Sequence, residues 1–185
     1  MAMFRLALGS LAAAVAMFFW GFFYWGTNII DPASHVTADG EKVIADAIRT
    51  HVPHHGLYFL PDRNNGSPAD VAARASQGPF VMMHVKPAGA NIAGDPVVMV
   101  MGFLHMLVSC FLLGLILTWA LPALPTWLDR FKLGALIGFT AAFFAHAGSF
   151  VWWYHALAPS LLFAAYDFVA YLIASAILAW FVRPG

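Results

Sequence analysis

The sequence predicts an all-α membrane protein, a four-transmembrane-helix bundle with a small α+β extracytoplasmic insert between helices one and two. Three observations carry that prediction. Of 185 residues, 62% are apolar and only 10% charged, against roughly 45–50% and about 25% in soluble domains. Four apolar stretches each reach the roughly 20 residues a helix needs to cross a bilayer. Twelve of the 18 charged residues fall between Thr27 and Pro96, so the polar part of the chain is one continuous segment.

Residues 1–26 form the first span, with Leu6 to Trp25 free of charge. Arg5 before an apolar run also suits a secretory leader. However, Phe18, Phe19, Trp20, Phe22, Phe23, Tyr24 and Trp25 occupy the region where small residues would permit cleavage. An uncleaved anchor is the better reading.

Residues 27–96 form the insert. Thr37 or Asp39 can cap a helix that places Val43, Ile44, Ala47 and Ile48 on one face, and Pro53 ends it. Gly56 to Leu60 reads as a short strand, and Asp62 to Gly66 as a turn. Ser67-Pro68 starts a helix that stops by Gly78, and Phe80 to Lys86 is a second strand. The two strands should pair, either parallel or antiparallel.

Residues 97–185 hold the other three spans: Val97 to Trp119, Leu133 to Tyr154, and a last one from near Pro159 to Val182. With alternating spans, Arg5, the Arg130/Lys132 pair and Arg183 share one side, which the positive-inside rule makes cytoplasmic. Both termini are then expected in the cytoplasm and the insert in the periplasm of a bacterial inner membrane. Tyr24, Trp25, Trp152, Trp153 and Tyr154 would form the outer aromatic belt, and Trp119, Trp127 and Trp180 the inner one.

The net charge of zero offers no footprint for nucleic acid. A single cysteine, Cys110, excludes an intrachain disulfide and any CxxC motif, and it reads as a small apolar filler. No phosphate loop, GxSxG, HExxH or dinucleotide fingerprint occurs. The eight methionines are scattered, which suits packing better than soft-metal handling.

The sharper signal is polar and inside the spans. His105 lies eight residues after Val97, His146 eight before Tyr154, and Asp167 eight after Pro159. All three therefore sit about 12 Å below the outer interface. Gly134, Gly138 and Ala142 precede His146 at steps of four, His105 stands between Gly102 and Ser109, and Asp167 stands between Ala164 and Ala170. Small residues line close helix contacts in membranes, so the three groups are expected to meet. The layer can act as an interhelical lock. It can also hold a b-type haem between His105 and His146, or a divalent metal on both histidines and Asp167. Proton or quinone-type chemistry is a third use, in a cleft lined by Trp20, Trp152 and Trp153. In the insert, His51, His54 and His55 are a looser metal candidate, since Pro53 breaks the helix that would align them; surface histidines at a turn are the blander reading.

The expected function is a non-enzymatic accessory subunit or binding module of a membrane complex, whose partners are lipid and other membrane subunits or a second copy. The alternative is a redox, haem- or metal-binding protein built on the His/His/Asp layer.

Overall fold

The structure is a computed structural model that describes residues 2–27, 31, 34–91 and 94–183. It is mostly helical and contains four helices long and apolar enough to span a membrane. These are α1 (Ala2–Gly26), α4 (Pro96–Ala120), α5 (Trp127–Trp153) and α6 (Leu157–Phe181). Between α1 and α4 lie α2 (Ala38–His51), β1 (Gly56–Leu60), α3 (Pro68–Gln77) and β2 (Val81–Val85). The chain divides into two compact units, residues 34–94 and the remainder.

In the smaller unit, Thr37 caps α2 by accepting from the Gly40 N–H at 3.1 Å. Ser67 and Asp70 close a reciprocal capping box on α3, with Pro68 in its first turn. The strands pair antiparallel, from Gly56 opposite Val85 to Leu60 opposite Val81, with α3 inside their connection. That settles the orientation the sequence leaves open.

In the larger unit, α1, α4 and α6 share a core. Leu6, Ala13, Ala14 and Met17 of α1 meet Cys110, Leu113 and Leu117 of α4 and Ala170, Ala174 and Leu178 of α6. Gly114 permits the approach, because a Cβ there would lie 3.3 Å from Leu178 and closer still to Leu6. The fourth span, α5, packs chiefly on α6.

The α5–α6 register follows from small residues at steps of four. Along α5, Arg130, Gly134, Gly138 and Ala142 are buried. Gly134 faces Ser175 and Gly138 faces Tyr171, each so closely that no Cβ would fit without movement. Arg130 faces Ala179, donating from Nε to its carbonyl at 3.0 Å. Each step of four along α5 thus matches a step of four backwards along α6, as antiparallel helices require.

One boundary departs from expectation. The third span begins at Trp127, six residues before Leu133. Thr126 and Asp129 form a capping box that draws the charged segment into the helix. Arg130 is then only 5% exposed. Its Nη1 donates to the carbonyls of Leu124 and Pro125 at 2.8 and 3.0 Å. A residue that reads as a loop charge is a buried clamp on three carbonyls. Arg5 and Arg183 border one small cleft with Trp180 and Phe181, and Arg130 bonds to Ala179 beside them. The arginines of the spans therefore collect at one end of this unit.

Candidate functional site

The stripe that sets the α5–α6 contact continues one further step, from Ala142 to His146. His146 Nε2 and Asp167 Oδ2 are 2.7 Å apart, a length typical of a charge-assisted hydrogen bond. Asp167 stands one turn before Tyr171, so the pair extends the same seam toward the end where α5 turns into α6. Tyr154 makes that turn in the left-handed conformation (φ 55°), and the His155 N–H bonds back to the Ser149 carbonyl at 3.3 Å. Arg130 and the His146–Asp167 pair thus bracket the seam, about 24 Å apart along α5.

The pair is only partly covered. The His146 side chain is 20% exposed and that of Asp167 42%. Phe163, four residues before Asp167, stacks on the imidazole at 6.1 Å with the rings 12° from parallel. His146 also lines a crevice of about 160 Å³ between α5 and α6, with Ala142, Ala147, Ser160 and Ala164. Ser160 is buried and donates to the Ala156 carbonyl. The sequence marks Phe163 and Ser160 only by spacing, four and seven residues before Asp167.

Of the three residues of the expected polar layer, His105 is placed elsewhere. His105 is exposed, and its side chain has no hydrogen bond or ion pair among the described residues. It belongs to an outward stripe with Met101, Leu104, Val108 and Leu112, all exposed. The buried face of α4 is Cys110, Leu113, Gly114 and Leu117, roughly 130° round the helix from His105 at 100° per residue. Gly102 has nothing within 4 Å of where a Cβ would be, so the glycine beside His105 marks no close helix approach. Haem ligation by His105 together with His146 therefore has no support in this arrangement. Among the described residues, no three His, Cys, Asp or Glu side chains gather as a metal site. That statement covers both the His105, His146 and Asp167 set and the His51, His54 and His55 set; the latter three are exposed around the end of α2.

The aromatic residues also separate. Trp20 sits in the α1–α6 contact, where Nε1 donates to the Tyr166 carbonyl at 3.2 Å and the ring stacks on Tyr166. Tyr24 joins it there, its hydroxyl donating to the Leu162 carbonyl at 2.8 Å, and Trp25 packs on Phe163 and Tyr166. Trp152 and Trp153 lie at the last turn of α5, 75% and 49% exposed. Trp20 is thus an interhelical fastener, and an aromatic ring stacked on the polar pair is that of Phe163. Cys110 is buried against Met17, with the two sulfurs 3.3 Å apart, so it packs as an apolar filler. Set against known protein families, curated proteins and solved structures, the chain matches none.

Proposed function

We propose that this chain is a multi-pass protein of a bacterial inner membrane: a four-helix transmembrane bundle with a periplasmic insert and its arginine-bearing end in the cytoplasm. Within that setting it serves as a non-enzymatic subunit of a membrane complex, joined to another membrane protein through the outer face of α4. Arg5, Arg130 and Arg183 at one end support the orientation. His105 carries the functional reading. It is exposed among Met101, Leu104, Val108 and Leu112, about 13 Å into a span. Ionisable groups within spans almost always face protein or a water-filled cavity. An imidazole on this face is satisfied when a neighbouring span supplies its hydrogen-bond partner.

Photo-crosslinking in native membranes tests this. A photoreactive residue at Val108 or Leu112 should give a discrete higher-mass adduct, and one at Leu136, exposed on α5, should not. His105→Leu should remove the adduct and His105→Gln should retain most of it. Equal, diffuse labelling from both helices would mean that lipid alone covers α4.

A further inference from the structure

Two arginines from opposite ends of the sequence border one cleft. Gly9 of α1 meets the last residue of α6, where a Cβ on the glycine would lie 2.7 Å from the Phe181 Cβ. That approach brings Arg5, one turn before Gly9, beside Arg183, two residues after Phe181. With Leu8, Trp180 and Phe181 they border a cleft of about 160 Å³ whose wall carries polar as well as apolar surface. Arg5 is half-buried and Arg183 exposed. Neither forms a hydrogen bond or ion pair among the described residues.

The charge at this end is not neutralised from within. Outside residues 27–96 the chain has two acids, Asp129 and Asp167. The Asp129 carboxylate accepts from the Thr126 hydroxyl and N–H. Asp167 is held by His146, about 21 Å back along α6 from Phe181. Arg130 differs from its neighbours, since its guanidinium is committed to three backbone carbonyls. The start of α1 and the end of α6 lie side by side, so their opposite dipoles largely cancel. Arg5 and Arg183 therefore set the sign of the cleft.

Position and shape select the occupant. The cleft lies at the ends of two helices long and apolar enough to span a membrane, the level at which lipid phosphates stand. Leu8 and Trp180 are both exposed, an apolar flank for the upper part of acyl chains. The volume of about 160 Å³ is below the roughly 300–1,000 Å³ of sites that enclose a whole drug-sized ligand. An anionic group fits, and its tails stay in the bilayer. Guanidinium groups pair with phosphate oxygens through two parallel N–H donors, and basic pockets between spans suit anionic head groups. A choline head group would set its own cation against two arginines.

We propose that Arg5 and Arg183 bind the phosphate of an anionic phospholipid in the cleft between the start of α1 and the end of α6. The site requires these helices to span a bilayer, and it is independent of the α4 partner surface.

The test is native mass spectrometry of the full chain released from detergent micelles, titrated with phosphatidylglycerol, phosphatidylcholine or inorganic phosphate. Phosphatidylglycerol should be retained saturably, and phosphatidylcholine about tenfold more weakly. Inorganic phosphate at equal concentration should displace little of the lipid, because it lacks the tails. Arg5→Gln combined with Arg183→Gln should weaken retention about thirtyfold, at about fivefold for each arginine near an anionic surface. Arg5→Lys combined with Arg183→Lys keeps both charges and should still weaken it about fivefold, because an ammonium lacks the paired donors. Lys132→Gln, at an exposed position on α5, should leave retention nearly unchanged. If the glutamine pair fails to fold, the lysine pair and the comparison of lipids decide the matter. Equal retention of the two lipids would overturn the proposal. So would full affinity in the lysine pair, a loss in Lys132→Gln as large as in the glutamine pair, or complete displacement by inorganic phosphate, which would mark a free-anion site.

Discussion

Removing the two members of the His146–Asp167 pair singly and together should show strong coupling with unequal single effects. The bond is 2.7 Å long, and its side chains are 20% and 42% exposed. Interhelical hydrogen bonds in membranes average about 0.6 kcal/mol and reach about 1.7 kcal/mol. A short bond between ionisable partners belongs in the upper part of that range, so a coupling energy of about 1–1.5 kcal/mol is expected. His146→Leu leaves a carboxylate facing apolar surroundings, for which insertion scales give about 2.5–3.5 kcal/mol at mid-span. Asp167→Leu leaves an imidazole without its partner, and it also removes the carboxylate's desolvation cost. His146→Leu should therefore destabilise by about 2–3 kcal/mol and Asp167→Leu by about 1 kcal/mol. The double variant should lie clearly below their sum. Reversible unfolding in mixed micelles with rising SDS fraction reads all four corners of the cycle. Single effects that add to within about 0.3 kcal/mol, the usual limit for independent sites, would refute an energetically meaningful bond.

Two further outcomes follow from the geometry. Gly138→Leu should lower stability by about 1–3 kcal/mol, because even its Cβ would lie 2.7 Å from Tyr171 Cγ and closer to Cβ. Gly148→Leu, where nothing lies within 4 Å of the added Cβ, should be near neutral in the same detergent melt. In the insert, the Asp70 carboxylate accepts from the Ser67 hydroxyl and N–H, which hold its carboxyl below the usual range. A depressed native value means the contribution is complete above the unfolded value of about 3.9 and is lost as pH falls through the native one. The Asp70 amide resonance should therefore titrate below about pH 3.9, and Ser67→Ala should move that midpoint up toward it.

Which features can be read from the chain depends on whether they are one-dimensional. The spans can, because bilayer thickness sets a length and apolar composition a sign. The caps at Thr37 and Ser67 can, because capping needs only a side-chain oxygen two or three residues before an N–H. The seam from Gly134 to His146 is also visible, since steps of four with small residues are a periodic signal. His105 shows the limit. Gly102 and Ser109 beside it resemble a contact face, yet a Cβ added at Gly102 would meet nothing and α4 turns Cys110, Leu113, Gly114 and Leu117 inward. A small residue permits close approach without requiring it, and the choice between faces belongs to the partner helices. Arg130 misleads in the opposite direction. Its charge signals a loop, but the carbonyls that satisfy it come from residues 124, 125 and 179, and no local pattern announces that convergence.

The contact pattern gives these placements a mechanical consequence. The helices α1, α4 and α6 share a core, and α5 rests chiefly on α6. The α5–α6 hairpin is therefore held along one seam, tight in the middle at Gly134 and Gly138 and pinned at its ends by Arg130 and by His146–Asp167. The middle is governed by steric fit and has little freedom to open. The Arg130 end is buried and bonded to three carbonyls, so it too resists separation. Only the His146–Asp167 end combines a single bond with partial exposure and an adjoining crevice. Separation of α5 from α6 is therefore expected to begin where the ionisable groups are, at the end of the seam away from the bonds of Arg130.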